Sequence, residues 1–180
     1  MKSILLSIKP KWVAKILNGE KTIEIRKTMP KCDLPIDVYI YCTKDNHQRL
    51  IYTGKRGFYP PDLANGKVVA KFTLNKVEEI YYECGNNGIS IDGYKWFYTE
   101  EIDIVQDFEK STCLNEYELF NYLQPKEAGG TPCGYAWHIS NLVIFDEPKY
   151  LCDFWNTKKG VFCCPLTKAP QNYCYIETEN

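Results

Sequence analysis

The chain has 180 residues, of which 44% are apolar and 14% aromatic, and its formal net charge at pH 7 is −1. This apolar share is large enough for a folded core, which excludes global disorder, and the length suits one domain better than two. No stretch approaches the roughly 20 apolar residues that a membrane-spanning helix needs, and the first residues become charged too early for an export signal. We therefore expect a folded cytoplasmic domain with no membrane partner.

The near-neutral total charge hides two segments of opposite sign. Residues 1–31 carry eight Lys or Arg against two Glu, whereas residues 78–118 carry eleven Asp or Glu against two Lys. Such segregation can give a neutral protein one basic face that attracts a polyanion. Two ordinary solvated faces are the simpler interpretation, so charge alone does not identify a partner.

The first half of the chain is predicted to be mainly β structure with one helix. The helix begins at Pro10, whose missing N–H costs nothing in a first turn, and Gly19 ends it. Alternation of apolar and polar residues predicts strands on both sides of this helix. These strands cover residues 3–8, 22–26, 36–43 and 67–75.

The second half is predicted to hold another helix, one or two more strands and an irregular tail. Asn115, followed three positions later by Glu118, has the pattern of a capping box, and the helix that it begins must end before Pro125. The other predicted features are an acidic insertion over about residues 81–112, strands within residues 135–145, a helical turn opened by Pro148 and a tail over residues 156–180.

This order of elements favours a mainly β fold with flanking helices, of the α+β class. Strands and helices do not alternate as regularly as a doubly wound sheet requires. Short strands with frequent turn signals indicate a small, mostly antiparallel β-barrel with helices over its open ends. We expect one barrel domain over residues 1–155, with residues 156–180 packed on it.

Residues 19–26 (GEKTIEIR) carry the strongest candidate site. Gly19 allows a left-handed turn at the helix end, which places Lys21 at the mouth of the next strand. Glu24 and Arg26 are two positions apart on that strand, so they share a face and can pair as carboxylate and guanidinium. By spacing alone, the polar face of a half-buried strand remains the simpler interpretation.

The same segment matches all four fixed positions of GxKxxExR, the signature of ASCH domains, which are a branch of the PUA-like superfamily. Residues 6–10 (LSIKP), with the aromatic Trp12, are similar to the way many bacterial and phage ASCH proteins begin. Further resemblance to the family lies at residues 39–43, 66–72 and 135–139 and at Pro148, and residues 169–175 are similar to the ending of a phage-associated subset.

The resemblance implies a small PUA-like β-barrel with a cleft beside the first helix, lined by the polar residues of the motif. Relatives in this superfamily bind RNA or modified bases. The first hypothesis is therefore an RNA- or nucleotide-binding module of phage or prophage origin. The residues assigned to contact the ligand are Lys9, Lys21, Glu24, Arg26, Tyr41, Thr43 and His138.

Lys21 and Arg26 are the predicted phosphate or base-edge contacts, because Lys offers a point charge and Arg a bidentate fork. If they are ligand contacts, replacing either by Ala should weaken RNA binding and leave the melting temperature nearly unchanged. A structural pair between Glu24 and Arg26 is the competing interpretation. For His138, a structural role is favoured over acid–base chemistry.

A hydrolase is the second hypothesis. One ASCH branch resembles an amidohydrolase that removes acyl groups from acetylcytidine, with a Lys of the motif and a Thr three positions later. Lys21 matches the Lys, but Glu24 stands at the nucleophile position, and its acyl product would be a labile anhydride. The catalytic candidates are thus Lys21 and Glu24, the latter as a general base toward water, with Thr22 nearby. The substrate would be a modified nucleoside or RNA.

A protein-interaction domain that docks a partner through the acidic insertion is the third hypothesis.

The chain has nine cysteines, and without an export signal they are expected to be reduced thiols. No cofactor is predicted. The alternative is zinc held near the tail, although the candidate ligands include no Cys-x-x-Cys pair. These ligands are Cys152, Cys163, Cys164 and Cys174.

Overall fold

The computed structural model describes residues 2–47, 51–52, 62–83, 88–91, 94–95, 102–125, 130–157 and 165–178. The chain divides into two compact units. Unit 1 comprises Met1–Asn18, Pro35–Leu74 and Ser140–Asn180, and unit 2 comprises Gly19–Leu34 and Asn75–Ile139. Across the described part of the chain, no helix has both the length and the apolar character needed to cross a membrane.

The elements follow one another as thirteen strands, three α-helices and one 3-10 turn within the described ranges. In chain order they are β1 (Lys2–Ile8), α1 (Pro10–Leu17), β2 (Ile23–Arg26), β3 (Ile36–Cys42), β4 (Ile51–Tyr52), β5 (Asp62–Leu63), β6 (Val68–Leu74), β7 (Val77–Glu83), β8 (Gly88–Ile91), β9 (Tyr94–Lys95), α2 (Ile102–Thr112), α3 (Glu116–Leu123), β10 (Cys133–His138), β11 (Ser140–Lys149), the turn Leu151–Asp153, β12 (Trp155–Asn156) and β13 (Tyr173–Glu177).

Unit 1 is built on a six-stranded sheet in the order β11-β6-β3-β1-β13-β12, and β4 and β5 form a separate pair. β1 and β3 run parallel, while the other neighbours are antiparallel. Every residue of β1 after Lys2 is buried, so this strand has core on both faces. α1 begins at Pro10 as predicted and buries Val13 and Ile16.

The prediction of an irregular tail over residues 156–180 is wrong for its last part. β13 pairs with β1 from one end to the other, with Lys2 opposite Glu177 and Leu6 opposite Tyr173. Ile176 is fully buried there. The run YCYIE has no clear apolar alternation, and its partner strand is more than 160 residues away, so local sequence gives little signal for this strand. Pro148 lies inside β11, and the helical turn follows it at Leu151–Asp153.

Unit 2 is built on a second sheet in the order β2-β10-β7-β8-β9, in which all neighbouring strands are antiparallel. One face of this sheet packs on helices α2 and α3. This core consists of Ile23, Ile25, Ile80, Ile91, Phe108, Leu119, Leu123 and Ala136, with Leu114 packed against it. Within the predicted insertion the structure has the short strands β8 and β9 and the helix α2, and β7 leads into it; the sequence pattern predicts neither β7 nor α2.

Helix α3 begins where the sequence predicts. The Asn115 side chain accepts a hydrogen bond from the Glu118 N–H at 2.8 Å, and the Glu118 carboxylate accepts one from the Asn115 N–H at 3.1 Å. At the other end, a Cβ on Gly134 would lie 2.4 Å from Leu123 Cδ2 and 2.8 Å from the Arg26 carbonyl oxygen. Glycine is therefore required at position 134 for α3 to pack this closely on β10 and β2.

The mainly β, α+β class is confirmed, but the strands do not close into a single barrel. In the described residues each larger sheet has two edges, formed by β11 and β12 in unit 1 and by β2 and β9 in unit 2. A closed barrel requires hydrogen bonds between the first and last strands of the sheet order. Alternation along the sequence predicts strands but carries no information about which strands close a sheet.

Candidate functional site

The GxKxxExR segment is held at its start by two backbone hydrogen bonds within unit 2. Gly19 has φ +76°, so the chain leaves α1 in the left-handed turn that the sequence predicts. The Thr22 N–H then donates to the Ser111 carbonyl at 2.9 Å, and the Ile139 N–H donates to the Thr22 carbonyl at 2.9 Å. The end of α2 and the residue after β10 thus fix the position from which Lys21 and β2 extend.

The three charged side chains of the motif form one continuous chain of ion pairs. Lys21 Nζ lies 3.3 Å from Glu24 Oε2, and Arg26 Nη2 lies 3.0 Å from Glu24 Oε1. Their side chains are only 2%, 8% and 10% exposed, in the order Lys21, Glu24, Arg26. The structure therefore brings together the residues that the motif predicted, but it places them in the interior and not on an open polar face.

Lys21 is also bound to the acidic insertion. Its Nζ donates to the Thr112 carbonyl at 2.6 Å, at the C-terminal end of α2. The last carbonyls of a helix have no partner within the helix and carry the negative end of its dipole, so an ammonium group is stabilised there. Burial, the largest effect, lowers the pKa of Lys21, and the charge of Glu24 opposes this change.

The side chain of Thr112 shapes the turn that presents this carbonyl. Thr112 is fully buried, and its hydroxyl oxygen accepts a hydrogen bond from the Leu114 N–H at 3.3 Å and lies 3.2 Å from the Glu109 carbonyl. Between them, Cys113 has φ +55°, a backbone conformation that few residues other than glycine adopt. Sequence analysis missed this partner of Lys21 because it did not predict α2.

Strand register decides which neighbours share the face of the motif. Trp137 lies opposite Glu24, and Tyr135 lies opposite Arg26, so these two aromatic residues lie on the same face of the sheet as the motif pair. His138 lies opposite Ile23 on the other face. Since Trp137 is fully buried, this face is covered at Glu24.

His138, a predicted ligand contact, takes part in a separate cluster. Its Nε2 pairs with the Glu78 carboxylate, whose other oxygen lies 2.7 Å from Lys76 Nζ. Burial acts to raise the pKa of Glu78, but the hydrogen bonds and charges of Lys76 and His138 together outweigh it and lower that pKa. This arrangement fits the structural role favoured for His138 from the sequence.

The remaining predicted contacts belong to unit 1. Tyr41 is 5% exposed and packs in a core with Phe154 and Leu166, and burial raises the pKa of its hydroxyl. Lys9 is the exposed N-cap residue of α1, and the Thr43 N–H donates to the Ile8 carbonyl at 2.9 Å. These residues take no part in the ion pairs of the motif described above.

The zinc alternative remains a prediction. Cys152 is exposed and Cys174 is half-buried, while Cys163 and Cys164 lie outside the described residues. Among the side chains that the structure describes, no three His, Cys, Asp or Glu residues are grouped closely enough to hold a metal ion.

Because the three ion-paired side chains of the motif are buried, replacing one of them alone is expected to destabilise the fold. Glu24→Ala should lower the free energy of unfolding by about 3–5 kcal/mol, because it leaves two buried cations without the carboxylate between them. Replacing all three groups together, as Lys21→Met, Glu24→Leu and Arg26→Met, should leave stability near that of the wild type. Urea denaturation measures both variants, and equal losses in the two would contradict this account.

Lys21→Ala and Arg26→Ala are likewise now expected to lower the melting temperature.

The Glu78 cluster predicts a pH dependence. The lowered pKa of Glu78 means that its ionised form stabilises the fold at pH values above 4.5, its ordinary pKa, and that this contribution is lost as the pH falls below that value. Glu78→Gln should therefore cost about 1 kcal/mol at pH 7 and progressively less toward acidic pH. Urea midpoints measured from pH 7 to pH 3 test this, with the exposed Glu147→Gln as the matched control. A Glu78→Gln deficit that stays constant with pH would contradict it.

Comparison with known proteins agrees with the resemblance read from the motif. The model of the ASCH domain family matches residues 6–126. The crystal structure of ASCH from Zymomonas mobilis has a TM-score of 0.56 and 15% sequence identity to this chain, covering 97% of this chain and 87% of that one. One mutant form of that protein has a TM-score of 0.56 at 14% identity, covering 98% of this chain and 91% of that one.

A second mutant form has a TM-score of 0.54 at 14% identity, covering 97% of this chain and 88% of that one. At such low identity these likenesses concern the fold alone. No curated protein matches the chain. Because the family match covers more than half of the sequence and includes the whole GxKxxExR segment, the chain belongs to the ASCH domain family, a branch of the PUA-like fold.

Proposed function

We propose that this protein is an RNA- or nucleotide-binding module whose ligand is recognised through Lys21, Glu24 and Arg26. Membership of a PUA-like family supports a nucleic-acid ligand, because relatives in the superfamily bind RNA or modified bases. The observation that carries the proposal is the buried chain of ion pairs at the motif.

A contribution to the stability of the fold is a poor explanation for these buried ion pairs. Three charged side chains that are at most a tenth exposed have lost most of their hydration. The attraction between them often fails to repay that cost, so apolar residues of similar volume would serve the fold as well or better. The charges are therefore explained best by recognition of a polar ligand.

Arg26 is the group best suited to reach the ligand. Lys21 is bound at both Glu24 and the Thr112 carbonyl, whereas Arg26 is the last residue of β2 and its guanidinium is the most exposed of the three groups. A guanidinium can bind a carboxylate with one edge and a phosphate or base edge with another, and Glu24 would hold it in that orientation. Lys21 would hold the other oxygen of the Glu24 carboxylate in place through its ion pair.

Arg26→Lys tests this role, since it keeps the charge but removes the fork. We expect the affinity for a labelled single-stranded RNA, measured by fluorescence anisotropy, to fall by about 5- to 150-fold, which corresponds to the 1–3 kcal/mol typical of a specific contact. The melting temperature should change little, because a lysine ammonium can still pair with Glu24. Lys31→Gln, which removes an exposed cation of the same unit, is the control and should change the affinity far less.

Salt dependence separates recognition of a polyanion from other binding. If several phosphates are contacted, the logarithm of the affinity must fall linearly with the logarithm of salt concentration, by about 0.7 per phosphate for a single strand. Affinity that is independent of salt, or that is the same in Arg26→Lys and the wild type, would contradict the proposal.

Hydrolysis of a modified nucleoside is the second candidate, favoured by the lowered pKa of Lys21 beside the Glu24 carboxylate. A lowered pKa increases the neutral amine available to take a proton from water as it attacks an acyl carbonyl. Incubation with acetylcytidine should then release acetate and cytidine, and Lys21→Met should abolish this release. Acetate formation no faster than with Lys21→Met would exclude this chemistry.

A further inference from the structure

The end of helix α3 lies against the last residue of β2. Leu123 packs over Gly134, at the point where the Arg26 carbonyl also approaches that glycine. This close approach places Tyr122 and Gln124, the residues on either side of Leu123, next to the end of the motif. The sequence pattern did not identify either residue as a candidate contact.

Tyr122 and the half-buried Gln124 form a surface corner with Lys27, the residue that follows the motif. Tyr122 is 40% exposed, and the exposed Lys27 has its Nζ 5.7 Å from the centre of the Tyr122 ring. The same Nζ donates to the Gln124 carbonyl at 2.7 Å, which anchors the ammonium beside the ring. At 5.7 Å the cation is near the outer limit of a cation–π contact, about 6 Å, so it covers the ring only loosely.

Electrostatics links this corner to the buried motif. Burial, the largest effect, raises the pKa of the Tyr122 hydroxyl, while the charge of Arg26 acts to lower it and that of Glu24 to raise it. Tyr122 is therefore within the electrostatic range of both motif groups. An exposed aromatic ring and an anchored surface cation thus lie near the buried guanidinium of Arg26, the last residue of β2.

From this geometry we propose that Tyr122 and Lys27 form a stacking site for one unpaired nucleobase and its phosphate, adjacent to Arg26. This rests on the proposed function and adds to it the class of ligand, a single strand and not a duplex. The base would replace the loose contact on the ring with a stacked one, and the Lys27 ammonium would pair with the phosphate. A paired base, already stacked within a helix, could not use the ring in this way.

Substitutions at Tyr122 test the stacking. Anisotropy with a labelled single-stranded RNA should show about tenfold weaker binding for Tyr122→Leu and nearly wild-type binding for Tyr122→Phe, which keeps the ring. Tyr117 lies on the same helix and is 75% exposed, so Tyr117→Leu is the matched control and should leave the affinity unchanged. Melting temperatures of all three variants should stay close to that of the wild type, because both positions are exposed.

Two further measurements complete the test. Lys27→Gln should reduce the salt dependence of binding by about one phosphate contact, a change of about 0.7 in the log–log slope. The wild type should bind the single strand more tightly than a duplex of the same sequence. RNA binding that is equally affected by Tyr122→Leu and Tyr117→Leu, or tighter binding of the duplex, would overturn the stacking site and leave the proposed function standing. Failure of the wild type to bind RNA or nucleotide at all would overturn both.

Discussion

The buried carboxylate of Glu24 is the contact on which the candidate site depends. It lies between an ammonium and a guanidinium, 3.3 Å from Lys21 Nζ and 3.0 Å from Arg26 Nη2. Without it, two cations would remain close together in the interior, where their repulsion is poorly screened. The spacing of the motif makes this arrangement possible, since residues two apart on β2 share a face and Lys21 approaches from the turn before the strand.

The acidic insertion gains a structural meaning from the same network. Consecutive carbonyls at the end of α2, those of Ser111 and Thr112, accept hydrogen bonds from the Thr22 N–H and the Lys21 ammonium. The insertion is therefore bound to the motif and has a structural role at the site. Its helix end supplies negative potential where the motif places a buried cation, and this offsets part of the cost of burial.

Recognition at this site would combine two environments. Lys21 and Glu24 are fixed and poorly hydrated, which favours precise orientation of a bound group. Tyr122 and Lys27 lie at the surface, where a flexible single-stranded RNA can reach them. Proteins that recognise single-stranded RNA combine stacking on aromatic side chains with hydrogen bonds to base edges, and the proposed site would offer both. In this arrangement the buried charges would orient the ligand, and the surface residues Tyr122 and Lys27 would make the site accessible to it.

Local sequence was sufficient for features whose cause is local. The helix start at Pro10, the turn at Gly19, the capping box at Asn115 and the family motif all depend on residues within a few positions of one another. Only the tertiary structure could decide features set by distant partners. The pairing of β13 with β1 and the contact of Lys21 with Thr112 each join segments about 90 or more residues apart. The strands left at the open edges of the sheets and the burial of Arg26 likewise depend on how distant segments pack. Periodicity reports the faces of a strand, but which face is covered is determined by the rest of the chain.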